Sequence, residues 1–321
     1  MAVYTHLGAE DLADLISHYD VGTLVSAKGI AEGVSNSNWL IETDRARYIL
    51  TMYERRIELD DLPFFLGLLD HLSAAGCPVP RTIHDREGRG WRDYDGKAIA
   101  LIEFLPGVSV DRPTPGQAHA VGAALAELHH ASADYPGSRS NDLRPRDWRD
   151  LFGRCGQDLT SIDPRLSGLI DRHMPDLLEH WPEDLPRTVI HADLFPDNVL
   201  MLGDRVGGLI DFYFACNDFA AYDVAVTHAA WSFDASGAHY RQDVGSALIA
   251  GYESARPLSP AERAALPLLA RGAAMRFAAT RAFDWLHTPD DALVTRKDPM
   301  DFARRLEFYA EAGDAPFAPA T

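Results

Sequence analysis

Residues 188–223, TVIHADLFPDNVLMLGDRVGGLIDFYFACNDFAAYD, constrain this chain more than any other stretch. Thr188, Val189 and Ile190 have β-type composition, and at His191 they break into a polar loop that runs to Asn198. Residues 199–202 read as a strand, Gly203-Asp204-Arg205 as a turn and 207–210 as the returning strand. A hairpin folded about Asp204 and Arg205 sets Asn198 opposite Asp211, with Asp193 five positions before Asn198 in the loop. Three oxygen-bearing side chains are therefore expected in one small volume. Asn198 and Asp211 suit a hard cation such as Mg2+, which takes carboxylate and carbonyl oxygens and leaves positions for phosphate. Asp193 is then free to accept a proton from an attacking hydroxyl.

Each residue alone has a plainer reading. A D-x-x-x-x-N loop is ordinary Asx-turn chemistry, and a histidine after a strand is commonly structural. The ordered combination is what carries information, because it reproduces the H-x-D-x-x-x-x-N loop and metal-holding Asp of phosphoryl-transfer enzymes. HADLFPDNVL and GLIDFYFACND resemble the aminoglycoside phosphotransferase and choline kinase superfamily, which is similar in fold to protein kinases. The run IDFYFACNDFAAYDVA resembles, within it, the bacterial homoserine kinases of the phosphotransferase-like type. Residues 29–38, GIAEGVSNSN, and 48–54, YILTMYE, resemble that family too, so the likeness spans nearly the whole chain.

The resemblance implies an α+β, two-lobed, protein-kinase-like fold. Residues 1–104 would form an antiparallel-sheet lobe covering the nucleotide, and 105–321 a mainly helical lobe for catalysis and acceptor binding. It implies ATP and Mg2+ as cofactors and L-homoserine as the acceptor, phosphorylated on its side-chain hydroxyl in threonine biosynthesis. Asp193 would be the catalytic base, and Asn198 and Asp211 the metal ligands. His191 and Asp223 would give structural support, with Asp223 accepting backbone N–H bonds from the loop; helix capping explains Asp223 almost as well. Two other readings stay open: a kinase for another small alcohol or amine (an aminoglycoside, choline or a thio-sugar), or a non-catalytic kinase-like binding module. Choline would want an aromatic cage. Homoserine needs a cation for its carboxylate and an acid for its ammonium.

Composition narrows the field. The formal net charge is −18, against nucleic acid or anionic membrane as a partner, since phosphate backbones reward clustered Lys and Arg. Mg2+ and backbone amides can still supply positive potential to a nucleotide. Cys77, Cys155 and Cys216 form neither a disulfide framework nor a ligand spacing, and the first residues lack a basic, apolar leader pattern; a cytoplasmic protein is expected. No apolar run approaches the ~20 residues of a membrane span.

Along the chain, Leu12, Leu15, Ile16 and Tyr19 mark a first helix, and residues 23–31, 38–42 and 47–53 mark three strands. Gly29, Gly33, Ser35 and Asn36 lie in the connection between the first two, where backbone amides can cover nucleotide phosphates; an ordinary hairpin loop has the same composition. The third strand carries Thr51 where most kinases carry a phosphate-binding lysine, leaving Lys28, Arg55 and Arg56 as replacement cations. A helix is expected from Leu62 to Leu72 and a strand pair about Asp95-Gly96. Glu103 and Leu105 fall where main-chain groups would meet an adenine edge, although a strand entering a Pro-Gly turn reads the same. Helices follow at 118–130, 147–156, 164–180, 222–231, 239–255, 260–287 and 299–312, with His129 and His130 read as helix-end residues. Arg276 and Arg281 are the candidates for the acceptor carboxylate; the plainer alternative pairs Arg281 with Asp284 and leaves Arg276 on a solvated edge.

Overall fold

Burial alternates along residues 37–43 and is continuous over 50–53, the strands on which the N-terminal part of the chain is built. The computed structural model describes residues 7–30, 36–54, 58–288 and 296–318. The chain divides into two units, Met1–Pro106 and Gly107–Thr321. The first opens with helix α1 (Ala9–Ser17), followed by strands β1 (Leu24–Ile30), β2 (Asn36–Thr43) and β3 (Arg47–Tyr53). Helix α2 (Leu62–Ala74) and strands β4 (Thr82–Ile83), β5 (Arg92–Tyr94) and β6 (Lys97–Glu103) complete it. All pair antiparallel in the order β1-β2-β3-β6-β4, with β5 also on β6. Trp39, Leu50 and Leu101 fall in one row of the ladder and Asn38, Thr51 and Ala100 in the next. Because neighbouring rows point to opposite faces, the first row joins Ile41, Met52 and Ile99 in a core closed by Leu12, Leu15 and Ile16 of α1. The short β4 was not expected; its two residues are too few to show a period. Thr82 ties it to α2 by donating its N–H to Asp70 Oδ1 and its hydroxyl to Leu66 O.

The second unit is mainly helical. Its elements are α3 (Pro115–Ala131), α4 (Pro145–Cys155), α5 (Leu159–Ile162), α6 (Leu166–His180), β7 (Arg187–Ile190), β8 (Val199–Leu202), β9 (Arg205–Leu209), β10 (Cys216–Phe219), α7 (Ala220–Trp231), α8 (Gln242–Ala255), α9 (Pro260–His287) and α10 (Met300–Ala312). Ser259 and Glu262 close a capping box at the start of α9, each side chain accepting the other's N–H, with Pro260 at the first helical position. Every residue of α7 is buried, so this helix lies at the centre of the unit. Cys77, Cys155 and Cys216 are free and buried. No helix among the described residues is long and apolar enough to cross a membrane.

Helices α3 and α8 approach each other through glycine. A Cβ on Gly122 would lie 2.1 Å from the carbonyl oxygen of Leu248, and one on Gly251 would lie 2.0 Å from that of His119. Both obstacles are backbone and cannot swing away. Alanine gains about 1 kcal/mol of helix propensity over glycine, but overpacking costs about 1–3 kcal/mol and occasionally more. Gly122→Ala is therefore expected to lower stability in urea denaturation; a neutral or higher midpoint would mean that the helices do not meet through this glycine.

Candidate active site

Strand β7 delivers His191 to the loop, and β10 pairs beside it, Ile190 against Cys216 and Thr188 against Asp218. Most polar backbone groups of the loop then find a partner. Asp223, in the first turn of α7, accepts the His191 N–H at 2.6 Å and the Ala192 N–H at 2.8 Å. The Trp231 indole donates to Leu194 O at 3.0 Å, and Asn198 Nδ2 donates to Asp193 O at 2.7 Å. Arg276 Nη1 donates to Ala192 O. His191 is buried; its Nδ1 accepts from Asp193 N–H at 3.3 Å, which leaves Nε2–H to donate to Ile210 O at 3.0 Å. Burial pushes the His191 pKa down, in keeping with a neutral ring.

Asp223 is itself held from behind. Its carboxylate meets His129 Nε2 at 3.1 Å, His129 Nδ1 meets the Tyr252 hydroxyl at 2.8 Å, and Arg256 donates to that hydroxyl while pairing with Glu262. Burial alone would raise the Asp223 carboxyl, but the His129 hydrogen bond leads a set of favourable interactions that hold it below the usual carboxylate range. His129 is thus no mere helix-end residue. The sequence signal was its position four residues after Leu125, on the buried stripe of α3.

Two residues of the site adopt the left-handed conformation, Ala192 at φ 64° and Asp211 at φ 67°. Such backbone is sparsely populated by non-glycine residues and persists where surrounding bonds dictate it. The hairpin register also departs from expectation. Val199 pairs with Leu209, and Ile210 N–H donates to Asn198 O at 3.0 Å, so Ile210 and not Asp211 stands opposite Asn198. The expected register overlooked a two-residue turn, Gly203-Asp204, and an irregularity between Leu200 and Met201. Asp211 instead lies past the end of β9, where the left-handed bend sets its direction.

The two carboxylates differ in exposure. Asp193 is half-buried and Asp211 keeps surface open to water, yet protein atoms crowd both. Burial pushes Asp193 up to about 7, with Arg276 pulling against it and Asp211 adding to it. Burial, then the charge of Asp197, pushes Asp211 up to about 6; its open surface makes this the weaker of the two effects. Asp211 accepts no hydrogen bond and forms no ion pair among the described residues. No three His, Cys, Asp or Glu side chains among them are grouped to hold a metal. The fit to Mg2+ therefore rests on one under-compensated carboxylate and the Asn198 amide oxygen, whose nitrogen is already committed to the loop. That donor set is too small for an all-protein cage, but it matches a nucleotide-bound Mg2+ completed by phosphates and water. Lys297, which bonds Asp197 at 3.3 Å and whose charge opposes the upward push on both carboxylates, carried no sequence signal.

Of the expected acceptor residues, Arg276 is 2% exposed and bonded to the loop, so it lies on no solvated edge. Arg281 pairs with Asp301 at 3.2 Å, not with Asp284. In the N-terminal unit, Gly29 sits in β1 opposite Trp39, and Asn36 opens β2 with its Oδ1 buried and unbonded. Gly33, Ser35, Arg55 and Arg56 lie outside the described residues. Glu103 ends β6 with its N–H on Arg81 O, while the Leu105 N–H has no partner among the described residues. The Thr51 hydroxyl donates to Asn38 Oδ1 at 2.8 Å. Lys28 belongs to the same sheet face as Thr51, two rows away.

The chain belongs to the phosphotransferase enzyme family, whose family model matches residues 26–258. Its likeness to the spectinomycin phosphotransferase solved with ADP and spectinomycin has a TM-score of 0.74 at 15% identity, covering 97% of this chain and 100% of that one. The α+β kinase-like fold expected from the sequence is the one present. Within the family the chain belongs with the homoserine kinases. It is 50% identical over 315 residues to the homoserine kinase of Methylobacterium radiotolerans and 49% identical over 315 residues to that of Xanthobacter autotrophicus, with 98% of each chain covered in both cases.

Removing the Asp223 carboxylate would strand two loop N–H groups and His129 in the interior. Asp223→Ala is expected to lose about 3–5 kcal/mol of stability, the usual cost of breaking a buried charged network from one side. A urea midpoint unchanged from the parent would show that the loop does not depend on it.

Proposed function

We propose that this chain transfers the γ-phosphoryl group of ATP to the side-chain hydroxyl of L-homoserine, giving O-phosphohomoserine and ADP, in cytoplasmic threonine biosynthesis. The observation that supports it most directly is the loop that presents Asp193 beside Asn198 and is held by Asp223, in a chain half identical to homoserine kinases. Asp193 accepts or orients the hydroxyl proton as the oxygen attacks the γ-phosphorus. The bond from that phosphorus to the β–γ bridging oxygen breaks, and ADP leaves with its electrons. Asn198 and Asp211 hold Mg2+, which neutralises phosphate charge when bound. Gly29, Gly33, Ser35 and Asn36 cover the phosphates, and the main chain at Glu103 and Leu105 meets the adenine. For a loose transition state, positioning and electrostatics supply most of the rate. His191 and Asp223 keep the loop in place.

Two experiments test these roles. Asp193→Asn is expected to lower kcat by about 10²–10⁴-fold while ATP still binds; near-parental turnover would remove Asp193 from the chemistry. Asp211→Ala deletes a charged ligand and Asn198→Ala a neutral one. Mg2+ titration of activity should therefore shift to higher concentration more in the first variant than in the second, and an unaltered requirement in Asp211→Ala would rule it out as a ligand.

A further inference from the structure

The acceptor is small, so its carboxylate cannot lie far from Asp193: in extended homoserine the hydroxyl oxygen and carboxylate are about 5 Å apart. Arg276 is the nearer arginine in sequence logic, but its Nη1 is committed to the Ala192 carbonyl. Arg281, one turn further along α9, is held differently. Its Nη1 donates to Asp298 O and to Asp301 Oδ2, both at 3.2 Å, and its guanidinium carbon lies 4.5 Å from the centroid of the Phe302 ring. These contacts fix the plane of the group. Its Nε and Nη2 make no hydrogen bond among the described residues, and they are absent from the sealed, unbonded polar atoms of the interior. One bidentate edge of the fork is therefore both rigid and open. Asp193 and Asp197 lie close enough for their charges to act on it.

Two further arginines stand close by. Arg305 is 5% exposed and stacks on the same Phe302 ring at 4.2 Å, with Nη2 on the Asp234 carbonyl and Nε and Nη1 buried without partners. Arg304 takes the other oxygen of Asp301 at 2.8 Å. Arg281 and Arg304 thus share the Asp301 carboxylate, while Arg304 also reaches that of Asp298 and Arg305 pairs with neither among the described residues. A planar carboxylate delivered to the open edge of Arg281 matches the fork and adds charge-assisted hydrogen bonds to a guanidinium that otherwise holds one carboxylate oxygen.

We propose that Arg281 binds the carboxylate of an amino-acid acceptor through its Nε and Nη2 edge, and that Asp301 is the positioning residue that orients it; the proposal rests on the acceptor assigned above. The test compares L-homoserine with 3-aminopropan-1-ol, which is homoserine without its carboxylate, in the parent and in Arg281→Met, Arg281→Lys and Asp301→Asn. The parent should prefer homoserine strongly. Arg281→Met should raise the KM for homoserine about 10–100-fold, the effect of losing charge-assisted hydrogen bonds, with the KM for ATP little altered, so that preference over the amino alcohol falls by a similar factor. Arg281→Lys, which keeps the charge without the fork, should regain only part of the loss. Asp301→Asn should raise the homoserine KM more than it lowers kcat. A parental preference in Arg281→Met overturns the proposal, and so does a parental homoserine KM in Arg281→Lys should the methionine variant not fold. A parent that does not turn over homoserine overturns the proposed function and this inference with it.

Discussion

A single carboxylate, that of Asp223, fixes where the loop can go. It accepts two consecutive N–H groups, from His191 and Ala192, and that demand is compatible with the left-handed backbone at Ala192. A buried carboxylate with unmatched oxygens would be costly. Here His129 supplies a third partner, and Tyr252, Arg256 and Glu262 extend the chain of bonds outward. Helices α3 and α8, which carry His129 and Tyr252, lie close enough for that contact because Gly122 and Gly251 remove side chains from their interface. Packing between two helices remote from the chemistry thereby sets the geometry of Asp193.

The electrostatics of the loop follow from what is left unpaired. Most of the loop backbone is bonded, whereas among the described residues the Asp211 carboxylate has no partner and that of Asp193 receives only a 3.3 Å contact from Asn198 Nδ2. Crowding by protein raises both carboxyls; the charge of Asp197 adds to both, and that of Asp211 adds to Asp193. Cationic groups ring the loop without closing on it: Arg276 on its backbone, Lys297 on Asp197, and Arg281 on Asp301. These cations offset part of the negative charge about the loop in a chain whose net charge is −18.

What the sequence made legible was local. Residues 47–53 and 199–202 alternate or carry β-branched side chains, and the strands run over those residues. The order of strand, loop and hairpin placed Asp193 and Asn198 together, as their hydrogen bonds confirm. The pairing of Asn198 with Asp211 was off by one, because an irregular ladder leaves no mark in the hydrophobic pattern. Strand β10 was missed since Asn217 and Asp218 read as loop residues; their side chains are taken up by Arg139 N–H and by Asn141. The partner of Arg281 lies twenty residues away on another helix, whereas spacing rules see only neighbours at three or four. Each miss is a contact made by tertiary packing.

The missing strand lysine yields to the same kind of argument. Thr51 occupies that slot, but its hydroxyl is bonded to Asn38 across the ladder, so the position is satisfied within the sheet. The described residues still offer cations on the face that Thr51 shares. The register puts Arg47 and Lys28 on that face. Arg47 is turned to Glu42 at 3.7 Å, whereas Lys28 is exposed on β1 and forms no ion pair among the described residues. Helix α2 runs LPFFLGLLDHLSA and contains no glutamate that could pair with a lysine in the slot of Thr51, so neither member of that ion pair is present there.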